Sequence, residues 1–407
     1  MSNSSLTSPF ASATLQPGHG LITLVLLLPS SPTLQALTYQ YPLKLIAPDP
    51  ITLPSGQRIV LAFLLTYGGG LVAGDSITLH IELAPQTRLA LATQGSTKLF
   101  KSPSRSVVSR QTLDVVIRPG AALCYLPDPT QPFAGSCYEQ KQVFHMGKGS
   151  SLCMLDWVSE GRRARGERWS FRRWTGKNEI WTLPSVGGPN FRNPPPSPPS
   201  TTEGGKEKED IPALLNPYKH GAPRLLLRDH LILDGDEQAE GWPEYSKNEY
   251  INREQPSPPQ HRISNSDIRH SRPSFTGDVP DSLAEKMDAL GVFATLILRG
   301  PLFATLGTFF LDEFTKTPRI GARNWSGAAA PDPNDPSVPL DERRRRSRIA
   351  QETKDGVIWT AAHVRGNVLV KFGAREVEGA RRWCGDMLRQ EGSVEREFGE
   401  SALLCLR

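Results

Sequence analysis

Apolar residues recur along the first half of the chain in a repeating order of strand, turn and strand. An alternating or apolar stretch is followed by a Pro- or Gly-containing turn and then by a second apolar strand, about every 30 residues. The second strands of three such units begin in APQTRLALATQ (from Ala84), RPGAALCYLPD (from Arg118) and GKGSSLCMLDW (from Gly147). Leu89, Leu123 and Leu152 occupy equivalent positions in these units. The pattern predicts hairpin-like units that stack into a β-solenoid or layered sheet.

Each unit ends in an unusual polar corner. The three corners are TQGSTK (Thr93 to Lys98), LPDPTQPF (Leu126 to Phe133) and DWVSEGRRARGERW (Asp156 to Trp169). If the units stack in register, the corners line one edge, and the segment YGGGLVAGD at residues 67–75 approaches the same side. Function is expected at this shared edge.

Two carboxylates in these segments lie beside clustered glycines. Asp75 follows Gly68, Gly69, Gly70 and Gly74, and such density indicates a bend or a close approach of backbone or ligand. Glu167 likewise lies next to Gly166, close to Gly161. For both acids a structural and a functional role remain open at this stage. Asp128, between prolines, also fits a simple turn cap, and the charges around Glu167 fit ordinary cross-strand ion pairs.

QGSTK is not a phosphate-binding loop, because that motif needs Gly-Lys-Ser/Thr opening a helix. Cys137, His145 and Cys153 are spaced eight apart, but the turn at 147–149 breaks the alternation that would align them. We therefore expect buried strand cysteines and no tight metal site.

The amino-acid composition divides the chain into segments expected to be folded and segments expected to be disordered. Residues 1–17 and 193–285 are rich in Pro, Ser and charge, and we expect both to be disordered. Residues 18–192 and 286–407 are expected to form the folded part in two portions, the second with an Arg-rich loop at 322–350. That arginine run fits a solvated loop better than a nuclear signal or an RNA-binding patch.

Charge and cysteine usage narrow the class of protein. The net charge of +5 gives no indication of nucleic-acid binding. The five cysteines contain no C-x-x-C pair, which favours a reducing compartment. LITLVLLLP (from Leu21) lacks a preceding Lys or Arg, unlike a signal peptide, and no apolar run reaches the roughly 18 residues of a membrane span. We expect a cytoplasmic protein that does not enter the membrane.

Five motifs in order resemble the urease accessory protein UreD family, called UreH in some systems. They are YPLKLIAP (Tyr41), YGGGLVAGD (Tyr67), TQGSTKLFKS (Thr93), LPDPTQPF (Leu126) and LDWVSEGRRARGERW (Leu155). The similarity runs from about Gly18 to Leu183 and resumes at MDALGVFATLILRGPL (Met287) and GVIWTAAHVRGNVLVKF (Gly356). REVEGARRWCGDMLRQ resembles the family's terminal helix, with Val377, Ala380, Cys384 and Met387 at helical spacing. The final GESALLCLR departs from the family pattern.

The resemblance implies a mainly β, two-layered and distorted β-helical body with a few helices, and a non-enzymatic role. Such proteins bind apo-urease together with UreF and the GTPase UreG in a symmetric hetero-oligomer and deliver nickel through an internal passage. No cofactor is implied beyond nickel in transit. Weak oxygen ligands suit an ion that must be released.

The resemblance assigns two groups of residues. The passage carboxylates would be Asp75, Glu160, Glu167 and Asp128. The structural or partner-binding motif would comprise Gly68, Gly69, Gly70, Gly74, Gln94, Thr97, Lys98, Pro127, Pro132, Phe133, Gly161, Arg162, Gly166 and Trp169.

The alternative is a β-solenoid hydrolase or lyase acting on polysaccharide. Its candidate acids and bases would be Asp75, Asp128, Asp156 and Glu167, with Trp157 and Trp169 nearby. That chemistry needs two carboxylates roughly 5 to 10 Å apart in one cleft.

Overall fold

The computed structural model describes residues 16–27, 31–183, 222–235, 282–317 and 339–407. These residues form a mainly β structure with a few helices, as predicted. The strands are β1 (His19–Leu27), β2 (Ser31–Tyr39), β3 (Leu43–Ile46), β4 (Ile51–Thr52), β5 (Arg58–Thr66), β6 (Gly70–Leu71), β7 (Ser76–Leu83), β8 (Arg88–Ala92), β9 (Thr97–Leu99), β10 (Ser109–Ile117), β11 (Ala122–Tyr125), β12 (Thr130–Pro132), β13 (Cys137–Met146), β14 (Ser151–Ser159), β15 (Arg173–Thr182), β16 (Leu225–Asp234), β17 (Val292–Arg299), β18 (Ile358–Val364) and β19 (Asn367–Ala374).

The helices are concentrated in the second half of the chain. The α-helices are α1 (Leu283–Lys286), α2 (Ala304–Thr315), α3 (Leu340–Asp355), α4 (Val377–Glu391) and α5 (Ser393–Phe398). Short 3-10 helices span Tyr67–Gly69, Arg163–Arg165, Pro301–Phe303 and Glu400–Leu406. The predicted terminal helix is confirmed as α4, whose buried positions include Ala380, Cys384 and Met387.

The strands form two sheets. One sheet has seven strands in the order β16-β15-β13-β10-β7-β1-β2. The other has twelve strands, with the main path β18-β19-β17-β14-β11-β8-β5-β3 and the short strands β4, β6, β9 and β12 beside it. One hydrophobic core lies between the sheets, and a second lies between the larger sheet and the helices.

The stacked units are confirmed by the strand register. Leu123 on β11 pairs in parallel with Leu89 on β8 and with Leu152 on β14, as the aligned leucines predict. The first strands of the units, β7, β10 and β13, stack in parallel in the seven-stranded sheet. The two strands of a unit therefore lie in different sheets and do not pair with each other as a hairpin. Each unit therefore forms one coil of a β-helix. The backbone N–H and C=O groups of its two strands bond to the corresponding strands of the next unit.

Two parts of the chain differ from the expectation. The interval 193–285 contains β16, which pairs antiparallel with β15, because its apolar island RLLLRDHLIL can pack on the edge of the sheet. Within 322–350, the arginines at 343–346 lie on helix α3 and not in a loop. Acids at three- and four-residue spacing on this helix accept ion pairs from these arginines, which favours the helix.

The expected disorder of residues 1–15 and of most of 193–285 concerns residues outside the described ranges. The same holds for the part of the expected Arg-rich loop that lies within 318–338. Residues 21–27 of the segment LITLVLLLP lie on β1, the second strand from one edge of the seven-stranded sheet. Among the described helices, none has the length and apolarity needed to cross a bilayer.

Candidate functional site

The polar corners lie side by side, as predicted. Strand β6 in the glycine-rich segment pairs with β9, β9 pairs with β12, and β12 pairs with β14. Lys98 thus lies between Gly70 and Gln131 in the register. A Cβ atom at Gly70 would lie 2.3 Å from the Lys98 carbonyl oxygen, so this close approach requires glycine.

Asp75 closes the turn that leads into β7. Its Oδ2 accepts a hydrogen bond of 3.0 Å from the Val72 backbone N–H. This is a local side-chain-to-backbone bond of the kind that fixes turns. No hydrogen bond or ion pair described in the structure joins Asp75 to Glu167. The geometry supports a structural role for Asp75, and its place in a nickel passage stays a prediction.

Glu167 and Glu160 are both bound by arginines of their own corner. Arg162 donates to both oxygens of Glu167, with a distance of 2.9 Å from Nε to Oε2. The backbone N–H of Ala134 donates to the same oxygen at 3.3 Å. Burial raises the pKa of Glu167, but the bonds from Arg162 and Ala134 outweigh it and hold the pKa below its usual range. Glu160 is buried and accepts from Arg168 at 2.9 Å.

The aromatic and glycine residues of the corner motif support this geometry. The Arg162 guanidinium lies 3.9 Å from the centre of the Phe133 ring, and Trp169 Nε1 donates to the Leu290 carbonyl oxygen at 2.7 Å. Gly161 has φ of +113°, and a Cβ there would lie 2.8 Å from the Pro132 carbonyl oxygen. The corner is therefore a rigid, packed structure.

Asp128 points into the protein and is fully bonded. It accepts hydrogen bonds from the Gly95 backbone N–H at 2.8 Å and from Thr93 Oγ1 at 3.1 Å. Arg381 on α4 forms an ion pair with its Oδ1 at 2.9 Å and also donates to the Cys405 carbonyl oxygen. The C-terminal segment that departs from the family pattern thus packs against this corner.

A buried polar layer continues from Asp128 between the two sheets. It consists of side chains from both sheets: Gln111, Tyr125, Gln140, Gln142, Asp156 and Asn178. Most of these residues line, together with Thr93 and Asp128, a small cavity of about 20 Å³. A space of this size holds about one water molecule. We call this set of six side chains the polar layer.

Asp156 is the centre of the polar layer. Its two oxygens accept hydrogen bonds of 2.8 Å from the side-chain amides of Gln140 and Asn178. Burial raises the pKa of the Asp156 carboxyl above its usual range, although both amide bonds act to lower it. The carboxylate is therefore bound by neutral partners, in an environment that disfavours an uncompensated negative charge.

Two further oxygens of the polar layer lack a donor within the described part of the chain. They are Gln142 Oε1 and Asn178 Oδ1, which are both buried. Buried acceptors are almost always paired with protein, water or an ion. The layer therefore presents oxygen atoms to a small polar or cationic species.

The polar layer reaches the surface at its other end. Asp156 lies beside Thr295 in the register, and Thr295 lies beside Lys371. Lys371 Nζ forms an ion pair of 2.6 Å with Asp229 on β16, which is the neighbour of Asn178 in the other sheet. Facing rows of polar side chains thus connect the Asp128 corner with the partly exposed Lys371.

The candidate metal ligands of the sequence do not converge. Cys137 and His145 lie on β13, whereas Cys153 lies on β14 in the core beneath the helices. Within the described ranges, no cluster of three or more His, Cys, Asp or Glu residues is placed to hold a metal ion. Of the acids of the hydrolase alternative, Asp128 and Asp156 line one cavity, but its volume of about 20 Å³ is far too small for a sugar ring, so the geometry does not favour that alternative.

Comparisons with known proteins agree with the motifs. Residues 20–193 match the family model described as UreD urease accessory protein. "Urease accessory protein D" of Arabidopsis thaliana is 37% identical over 142 residues, which are 35% of this chain and 48% of the relative. "Urease accessory protein UreD" of Sorangium cellulosum is 40% identical over 139 residues, 34% of this chain and 42% of the relative.

A fungal relative gives a similar picture. The "Uncharacterized urease accessory protein ureD-like" of Schizosaccharomyces pombe is 39% identical over 142 residues, covering 35% of this chain and 47% of the relative. The chain thus spans less than half the length of these three relatives. Through residues 20–193, the chain is similar to the UreD family of urease accessory proteins.

Proposed function

We propose that this protein delivers nickel to apo-urease, in a hetero-oligomer with UreF and the GTPase UreG, and that it catalyses no reaction itself. The relatives are named as urease accessory proteins, which supports a role in urease assembly. The observation that carries the nickel proposal is the polar layer, which places the carboxylate of Asp156 between two sheets of an otherwise apolar core.

The chemistry of the polar layer suits a divalent cation in transit. A buried carboxylate without a cationic partner attracts a positive ion, because the low dielectric strengthens the interaction. Amide and carboxylate oxygens bind nickel less firmly than imidazole or thiolate. The layer would therefore stabilise a passing ion, and the ion could leave again.

Each end of the polar layer is occupied by an ion pair. Arg381 binds Asp128 at one end, and Lys371 binds Asp229 at the other. A nickel ion that enters must exchange with these cations or pass beside them, since like charges repel. We propose that docking of the partner proteins loosens these pairs and opens the route.

The described contacts favour some of the carboxylates that the sequence assigned to the nickel passage over others. Asp128 lies at the end of the polar layer and stays a candidate. Glu160 and Glu167 are neutralised by arginines of the corner, which favours a role in shaping the surface that partners meet. The proposal therefore places Asp156 ahead of both.

The test is urease activation in a strain that lacks its own UreD protein. Expression of this chain should restore urease activity in nickel-containing medium, and purification of the tagged chain should recover UreF, UreG and urease subunits. A chain that neither restores activity nor recovers any of these partners would contradict the proposal.

A further inference from the structure

A large basic cavity lies at the end of the sandwich opposite to the corners. It is formed by the turn from β13 to β14, the first residues of β16 and the turn after β17. Its volume is about 600 Å³. Three cationic side chains, Lys148, Arg224 and Arg299, line it, and the described lining residues include no Asp or Glu.

Arg299 is held in place without being neutralised. Its Nη1 donates to the carbonyl oxygen of Arg365 and to Asn367 Oδ1, both at 3.2 Å. Both acceptors are neutral, so they orient the guanidinium and leave its charge uncompensated. Burial, together with the positive charge of Arg224, lowers the pKa of Arg299. A bound anion would remove the repulsion between the two arginines.

The shape and lining of the cavity indicate the class of anion. Guanidinium groups bind oxyanions through paired hydrogen bonds, and Lys148 adds a third positive charge. Met146, Leu183 and Leu226 give the cavity an apolar side. A neighbouring cavity of about 510 Å³ shares Lys148, Gly149 and Pro301 with it. The space is in the range of small-molecule sites and exceeds the needs of an inorganic ion.

We propose that this cavity binds a small organic phosphate, with its phosphate group on Arg224, Arg299 and Lys148 and its organic part against the apolar side. A phosphate dianion matches three cations better than a single carboxylate does. The proposal is independent of nickel delivery, because the cavity lies away from the polar layer and shares no residue with it.

Isothermal titration calorimetry of the full chain at constant ionic strength tests this proposal. Phenyl phosphate, inorganic phosphate and benzoate serve as probes. We expect saturable one-site binding that is tightest for phenyl phosphate and weakest for benzoate. Arg299→Gln should weaken phenyl phosphate binding by about tenfold or more, because hydrogen bonds to charged groups are strong.

Arg224→Gln is the second variant, since its side chain supports no other described hydrogen bond or ion pair and its loss should leave the fold intact. It should weaken binding in the same direction. The matched control is Arg110→Gln, on the outer face of the seven-stranded sheet and paired with Glu139, which should bind like the wild type.

The pH dependence gives a separate readout. A phosphate monoester loses its second proton near pH 6, so phenyl phosphate binding should strengthen between pH 5 and pH 8, and benzoate binding should not. Heats that do not saturate, or equal affinities for the wild type and both arginine variants, would overturn the proposal.

Discussion

The two faces of strand β14 have different chemistry. Cys153, Leu155 and Trp157 point into the core beneath the helices, whereas Met154, Asp156 and Val158 point between the two sheets. Both faces are fully buried. On β14, the face between the sheets carries the carboxylate of Asp156 between the apolar Met154 and Val158, and the other face carries no carboxylate. The space between the sheets therefore contains a buried polar group, and the helical side of this strand is packed with apolar and aromatic side chains.

The buried acids show the same contrast. Glu313 is bound by Arg345 and Arg348, and Asp128 is bound by Arg381. The hydrogen bonds to Asp156 come from neutral amides. Acids that hold the fold together are thus paired with arginines where they stand, whereas burial raises the pKa of Asp156, so a cation beside it would favour its charged form.

The largest expected effect is on the helical face. Trp157 is buried, and its Nε1 donates to the Pro127 carbonyl oxygen at 2.8 Å. Trp157→Ala should lower the free energy of unfolding by about 3–5 kcal/mol, because it opens a large cavity and leaves that acceptor unpaired. Denaturant unfolding measures the loss. Trp181→Ala, at a partly exposed position on β15, is the control and should cost much less; equal losses would contradict this packing.

Glu313 gives the next effect in size. Glu313→Gln should destabilise the protein by about 2–3 kcal/mol, because the buried Arg348 loses one of its two carboxylate partners and keeps only Glu352. Burial raises the pKa of Glu313, but the bonds from Arg345 and Arg348 lower it to about 2. The folded-state pKa is below the unfolded value, so this stabilisation is present above about pH 4 and is lost as the pH falls towards 2.

Unfolding at several pH values checks this sign. The difference between wild type and Glu313→Gln should shrink as the pH falls. Glu342→Gln, at a more exposed acid of helix α3, should have a small effect throughout. A difference that stays constant with pH would show that charge is not the cause.

The ion pair between Glu167 and Arg162 tests whether the polar corner has a structural role. Glu167→Gln should cost about 1–2 kcal/mol, because it removes a charged acceptor from the partly exposed Arg162. Binding to UreF and urease should weaken with it if the corner forms part of the partner surface. Thermal unfolding and co-purification measure the two effects. A normal melting temperature would exclude the structural role of this pair.

Asp75 should give the smallest effect. Asp75→Ala removes one local hydrogen bond to the Val72 N–H and should cost about 1 kcal/mol or less. Urease activation should stay close to that of the wild type, since the described side-chain hydrogen bond of Asp75 is within its own turn. A loss of activation with normal melting would restore Asp75 to the nickel passage.

The stacking of the units could be predicted from the sequence, because the repeat places Leu89, Leu123 and Leu152 at equivalent positions. The corner edge followed from the same alignment. The sequence analysis does not identify the polar layer, although a signal exists. Gln140 and Gln142 occupy the same face of β13 as the buried Tyr138 and Phe144, at every second position. A single strand does not reveal which polar residues face an interior between two sheets.

Other features depend on contacts between distant parts of the chain. Arg381 and Asp128 are 253 positions apart, and no local pattern pairs them. The island that forms β16 is embedded in a polar composition, and its partner β15 lies well before it in the chain. In α3, an arginine run is helical because Glu313 and Glu342 neutralise it, which composition alone does not show.

The central claim is that the charge of Asp156 assists nickel transfer, and Asp156→Asn tests it most directly. The introduced amide has nearly the same shape, and Asn178 can turn its free Oδ1 towards it. Because burial raises the pKa of Asp156, the wild type should lose stability relative to the variant as the pH rises from about 4, and the variant should fold normally.

The measurement is the nickel content and activity of urease isolated from the UreD-lacking strain that expresses either protein. Glu139→Gln, on the exposed face of β13, is the matched control. We predict that Asp156→Asn melts no lower than the wild type and keeps its binding to UreF but lowers urease nickel by about tenfold or more. Urease with full nickel content and activity from the Asp156→Asn strain would contradict the account.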